Sequence, residues 1–375
     1  MTKYHLAAAA FLLVAASQGG AELPARQPID ASYRLKRILK HHRIPALAVA
    51  ATVDGDVVAL GAQGRRRITE KVERVGLDDH WQVGSCTKSM TASVAAMLVE
   101  DGELAWDTTI ADLFPELADK MHPAWLAVTL EQLLTHRGGA PGEPPKDLWQ
   151  IAHAREGTPT EQREAFVCGL LAHEPAHRPG TPWIYSDSGY AIAGVMMERA
   201  TGKSWEDLMR ERLFVPLGLT SAGFGEPATT EPPDQPWGHR GEKGAFIPQA
   251  PGPNADYPPA IAPAAAVHMS IDDFARYAAW HVFGARGEGW LLTPASFKKL
   301  HTPHGDERYA MGWSVTERRW AGGTVLMHNG DNEMFYAVMW LGPNSNTAFV
   351  AACNADGQDA IEACDEAITM LINEF

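Results

Sequence analysis

The sequence predicts an α/β fold in which an antiparallel sheet, flanked by N- and C-terminal helices, carries an inserted, mainly helical lobe. Three observations lead there. Strand-length apolar runs occur near both ends of the chain, the long stretch between them repeats with helical spacing, and the segments outside the strands read as helices.

In chain order, the first residues place Lys3 before an apolar stretch from Leu6 to Ala16 and then small residues ending at Ala21, the pattern of a secretory signal peptide. That stretch is well short of the ~20 residues needed to span a bilayer. Residues 1–21 are therefore expected to direct export to the periplasm or beyond, with no stable membrane anchor, leaving residues 22–375 as a single domain. Ile29 to Ile44 reads as a helix, followed by strands at Ala46 to Val53 and Val57 to Gly61, with Asp54-Gly55 as the hairpin turn. A helix is expected from Ser85, because Met90, Val94, Met97 and Leu98 fall on one helical face, ending near Asp101-Gly102.

The inserted lobe is expected over roughly residues 85–300, with helices at Leu130 to Thr135, Thr160 to Leu171, Gly189 to Ala200, Trp205 to Leu213 and Ile271 to Phe283. Nine prolines lie between Glu231 and Pro263 together with Trp237, Phe246 and Tyr257, too aromatic for a solvated linker, so a packed loop rimming a cleft is expected. The period then changes again. Val325 to Asn329, Glu333 to Leu341 and Ala348 to Cys353 read as an antiparallel meander, and Ala360, Ile361, Cys364, Ile368, Leu371 and Ile372 share one helical face that should pack on a sheet.

The 375 residues are 45% hydrophobic and 21% charged, enough for a sizeable core, and the net charge of -14 argues against nucleic acid as a partner. Fifteen histidines are scattered without an HExxH or comparable ligand spacing, so no metal is expected. Of four cysteines, Cys353 and Cys364 are the pair that could meet, but their apolar settings favour buried free thiols over a bridge.

Ser-x-x-Lys occurs twice, at Ser85 to Lys88 and at Ser296 to Lys299. Context separates them. Ser85 opens an apolar helix, where free N–H groups and the helix dipole favour developing negative charge, and Lys88 lies one turn on. A lysine desolvated in a cleft can have its pKa lowered enough to accept the serine proton. Ser296 starts a polar, lysine-rich segment that reads as a surface helix.

Three motifs then follow in order: Ser85-Cys-Thr-Lys88, Tyr185-Ser-Asp187 and His328-Asn-Gly330. With Leu133-Leu134-Thr135-His136, Pro216-Leu217-Gly218-Leu219-Thr220-Ser221 and Tyr309-Ala-Met-Gly-Trp313, they make the chain resemble the serine β-lactamase-like family. That family includes class C β-lactamases, D-alanyl-D-alanine carboxypeptidases, D-aminopeptidases and several esterases. The resemblance implies a hydrolase acting on a small-molecule ester, D-amino-acid peptide or β-lactam without a cofactor. It implies Ser85 as nucleophile, Lys88 and Tyr185 in proton transfer, and a wall formed by His328, Asn329 and Gly330, with the Asp331 N–H joining that of Ser85 in an oxyanion hole. As acid/base, Tyr185 would need a neighbouring cation to lower its pKa, and Lys88 is the candidate. His136-Arg-Gly138 resembles the family's structural turn.

Two departures stand out. Asp187 replaces the usual asparagine and should hold Lys88 protonated. His328 replaces a lysine, removing a permanent cation and making efficient β-lactamase action the least favoured of the three activities. A non-catalytic ligand-binding or sensing protein of the same fold is the alternative that Asp187 prompts.

Overall fold

Strands from opposite ends of the chain share one sheet in the computed structural model, which describes residues 27–69, 73–180, 182–253, 255–305 and 307–375. Residues 1–21, expected to be a signal peptide, lie outside the described residues. In chain order the strands are β1 (Ile29–Asp30), β2 (Ala46–Val53), β3 (Asp56–Gly64), β4 (His80–Gln82), β5 (Gly223–Phe224) and β6 (His239–Arg240). They continue with β7 (Ile247–Pro248), β8 (Val267–Ser270), β9 (Ser314–Arg318), β10 (Gly323–Asp331), β11 (Tyr336–Gly342) and β12 (Thr347–Cys353). The helices are α1 (Ser32–His42), α2 (Thr87–Glu100), α3 (Ile110–Leu113), α4 (Leu130–Leu134), α5 (Lys146–Ala154), α6 (Pro159–Ala172) and α7 (Asp187–Thr201). After them come α8 (Trp205–Met209), α9 (Val215–Leu217), α10 (Ala262–Ala265), α11 (Ile271–Ala285), α12 (Pro294–His301) and α13 (Gln358–Ile372).

The main sheet runs β1-β3-β2-β12-β11-β10-β9 and is antiparallel except for β1 on β3. Central β2 and β12 are apolar on both faces because both faces are covered. On one side, Leu35 and Ile38 of α1 and Cys364, Ile368 and Leu371 of α13 pack over Val49 and Phe349. On the other, α11 lies against β12 and β2. This corrects the expected lobe boundary, since α11 belongs to the sheet's cover. Phe283 near its end abuts Gly55, whose φ of 84° makes the β2–β3 turn.

Other differences are local. The expected helix from Ile29 begins at Ser32, because Asp30 Oδ1 accepts the Ser32 N–H at 2.9 Å and Ile29–Asp30 instead extends the sheet. A three-stranded sheet, β4-β8-β5, draws two of its strands, β5 and β8, from the stretch expected to be helical. The proline-rich segment is packed as expected: Trp237 and Phe246 are buried, and it contributes the β6–β7 ribbon and α10. Cys353 and Cys364 are buried free thiols. Deep in the lobe, Arg163 of α6 ion-pairs with Glu198 of α7 and Glu206 of α8, both at 2.9 Å, tying three helices together.

Candidate active site

Ser85 sits in a 3₁₀ turn, Gly84–Cys86, that leads into α2. The α-helix itself begins at Thr87, two residues later than the sequence suggests, because Gly84 takes a φ of 49° and steers the chain against the end of β10. There a Cβ on Gly330 would collide with the Val83 carbonyl oxygen and lie 2.7 Å from Ser85 N, while one on Gly84 would lie 2.5 Å from Asp331 N. Only glycine at both positions permits this backbone contact, which brings the N–H-bearing segments of Ser85 and Asp331 together.

α2 is buried all round from Thr87 to Leu98, so its polar residues need partners. Thr91 donates to the Pro263 carbonyl at 2.7 Å, and Ser89 bonds the Cys86 carbonyl and Tyr277, each at 2.8 Å. Lys88, fully buried, directs Nζ to Ser85 Oγ at 3.0 Å, Asp187 Oδ1 at 2.5 Å and the Ala264 carbonyl at 3.1 Å. Three acceptors for three N–H donors is the coordination of an ammonium. Burial opposes its charge, but Asp187 and Tyr185 outweigh that and the Lys88 pKa is raised. The expectation that desolvation lowers it is therefore corrected; the expectation that Asp187 holds it charged agrees with this arrangement.

The Tyr185-Ser-Asp187 segment is the entry to α7. Ser186 is the N-cap, its Oγ accepting the Gly189 N–H at 3.1 Å, which puts Asp187 in the first helical turn and Tyr185 just before the cap. Ser186 also donates its backbone N–H to His136 Nδ1 at 3.1 Å and its hydroxyl to the Pro141 carbonyl at 2.5 Å. His136 is thus a buried support for this loop, its ring 4.4 Å from that of Tyr185. The Tyr185 ring lies 4.6 Å from Lys88 Nζ. Its phenol pKa is nonetheless raised, because burial exceeds the lowering by Lys88 and by hydrogen bonding to Lys88 and Ser85. Lys88 does act as the cation that lowers the phenol pKa, but desolvation raises it by more.

His328 is buried near the end of β10. Burial and the nearby Lys88 charge lower its pKa to about 4, so the ring is neutral at pH 7. Nδ1 faces the Asn329 carbonyl at 2.6 Å and must carry the proton, leaving Nε2 to accept from the Tyr309 hydroxyl at 3.0 Å. This partner was not foreseen, although Tyr309-Ala-Met-Gly-Trp313 was visible as a motif. Asn329 is exposed and Gly330 buried on the same strand end. The Asp331 carboxyl is pushed up to about 7 by burial and by hydrogen bonding to Asp356.

The second Ser-x-x-Lys does not assemble. Ser296 is half-buried in the first turn of α12, where its N–H donates to Thr293 Oγ1, and Lys299 ion-pairs with Glu131 at 2.6 Å. Glu143, Trp149, Asp187, Ser188, Tyr257 and Glu333 line a small cleft that adjoins the first pair through Asp187, with Tyr257 supplied by the proline-rich segment.

Residues 32–369 match the Beta-lactamase family. Penicillin-binding protein 4 of Amycolatopsis lactamdurans is 34% identical over 186 residues, 50% of this chain and 46% of its own. Lovastatin esterase of Penicillium rubens is 30% identical over 203 residues, 50% of each. The chain thus spans about half the length of these relatives. Among solved structures, the octameric penicillin-binding protein homologue from Pyrococcus abyssi superposes with a TM-score of 0.73 at 23% identity, covering 91% of this chain and 76% of that one, and so shares the fold. With a match that runs from α1 to α13, the chain belongs to the Beta-lactamase family.

Proposed function

We propose that this chain is an exported serine hydrolase that cleaves an ester or amide through an acyl-Ser85 intermediate. The observation that carries the reading is the contact of buried Lys88 Nζ with Ser85 Oγ at 3.0 Å, on a turn whose backbone abuts β10. In the acylating state Lys88 is neutral and takes the Ser85 hydroxyl proton as Oγ attacks the substrate carbonyl carbon. The Ser85 and Asp331 N–H groups hold the resulting oxyanion. Tyr185 passes a proton to the leaving group as the carbon–heteroatom bond breaks and later takes one from the water that attacks the acyl-enzyme, while Lys88 returns its proton to Ser85 Oγ as the acyl–oxygen bond breaks. His328, being neutral, offers no cation to a substrate carboxylate, which favours esters and peptides over β-lactams. Substrate names among the relatives, a penicillin-binding protein and an esterase, are compatible with either leaving group.

Asp187 favours a second reading, a binding or sensing protein, because it keeps Lys88 in its unreactive protonated form. A fluorescent fluorophosphonate decides between them. Covalent labelling of wild type that vanishes in Ser85→Ala is the outcome expected of the hydrolase, and an unlabelled, folded wild type would sink it.

A further inference from the structure

We infer that the end of α1 and the middle of α13 form a binding site for one divalent transition-metal ion of the zinc class, held by His41, His42 and Glu366. Glu366 Oε2 lies 2.9 Å from His42 Nε2 and 3.3 Å from His41 Nδ1, and the three atoms fall within 4.8 Å of one another. An ion with tetrahedral bonds of ~2.0–2.1 Å sets its ligands about 3.3 Å apart, so rotating the exposed His41 ring completes the triangle. Two imidazole nitrogens and one carboxylate oxygen suit zinc or cobalt rather than calcium or magnesium, which prefer oxygen, and water takes the fourth position.

The surroundings favour the ion independently of those distances. His42 is the anchor: its side chain is 9% exposed, and its other nitrogen, Nδ1, faces the Glu362 carboxylate at 3.9 Å. A carboxylate behind the second ring nitrogen fixes the tautomer that leaves Nε2 free to bind metal. Glu362 and Glu366 stand one turn apart on α13, so both ends of the ring are met from one helix face. His41 and His42 also occupy the last turn of α1, where the helix dipole favours a cation. Burial opposes the charge of Glu366, but hydrogen bonds from His42 and His41 outweigh it and the carboxyl pKa is lowered. Arg37 approaches the other oxygen, Oε1, at 3.3 Å through a side chain that is 85% exposed, so it competes weakly. No contiguous ligand motif marks the site in the sequence, because His42 and Glu366 are 324 positions apart.

Titrating the full-length protein with Co²⁺ should give the visible absorption of a tetrahedral site, complete at one equivalent and bleached by Zn²⁺. His42→Ala and Glu366→Gln should each weaken binding by about tenfold or more, and Glu362→Gln by about tenfold through the tautomer. Glu366→Gln and Glu362→Gln keep side-chain size, so the comparison holds even where His42→Ala fails a circular dichroism check of folding. Since the ion links α1 to α13, saturating Zn²⁺ should raise the Tm of wild type by about 2–5 °C and leave that of Glu366→Gln unchanged. Wild type without the Co²⁺ spectrum, undiminished binding in folded His42→Ala or Glu366→Gln, or a wild-type Tm indifferent to Zn²⁺ would overturn the site.

Discussion

At the scale of single residues, the proton on Lys88 controls the reaction. Its pKa is raised, and the proposed acylating form is the deprotonated one, so kcat/KM should climb with pH through the alkaline range. Asp187→Asn removes the charge 2.5 Å from Nζ, leaving burial to favour the neutral amine. The rise should then move about 1–3 pH units lower and activity at pH 7 should increase, as a pH–rate profile of ester hydrolysis will show. Loss of activity at every pH would assign the carboxylate a positive role. Motif order was enough to pair Lys88 with Asp187 on paper. It could not give the direction of the Tyr185 shift, because that depends on how completely the phenol is desolvated. Nor could it show that Tyr309 donates to His328, a contact made only when β10 passes the segment before β9.

At the scale of elements, the site depends on how closely the Gly84–Cys86 turn approaches β10. Gly330→Ala would drive a methyl group into the Val83 carbonyl oxygen and push Ser85 N away from Asp331 N. Misaligned oxyanion donors should cost about 100-fold or more in kcat with a normal circular dichroism spectrum; unimpaired turnover would refute the proposed hole. Long elements were legible for different reasons: β2 and β12 are continuous apolar runs because both their faces are covered, and α13 has one apolar face because it packs on the sheet. The short strands of β4-β8-β5 were not, since two to four residues carry too little pattern to outweigh helical neighbours. Likewise, α2 was recognised from its apolar residues, but Thr91 and Ser93 turned out to be buried too, through side-chain bonds to carbonyls of Pro263 and Ser89.

For the whole molecule, buried histidines dominate the acid response. Burial lowers His239, His268 and His328 to about 4 and His301 to about 3, and places His136 and His281 well below 6.5. As the pH falls from 6.5 towards 4 the unfolded chain protonates these imidazoles while the native state does not, so stability falls. Asp331 and Glu226, raised to about 7, and Asp256, raised to about 6, act the other way, because the native state binds their protons first. The six imidazoles outnumber them, and thermal melts should show Tm dropping across that interval; a constant or rising Tm would contradict the balance. The antiparallel sheet with terminal helices was readable because both chain ends showed their own period, whereas the cover provided by α11 was hidden among helices of the lobe. The pairing of β2 with β12 carries a kinetic consequence. Residues about 300 positions apart must meet, as Ala50 does Val350, before the sheet has a centre. During synthesis, the first hairpin therefore waits with an open edge until nearly the whole chain has been made, and a product ending before Thr347 would keep that edge exposed to other chains.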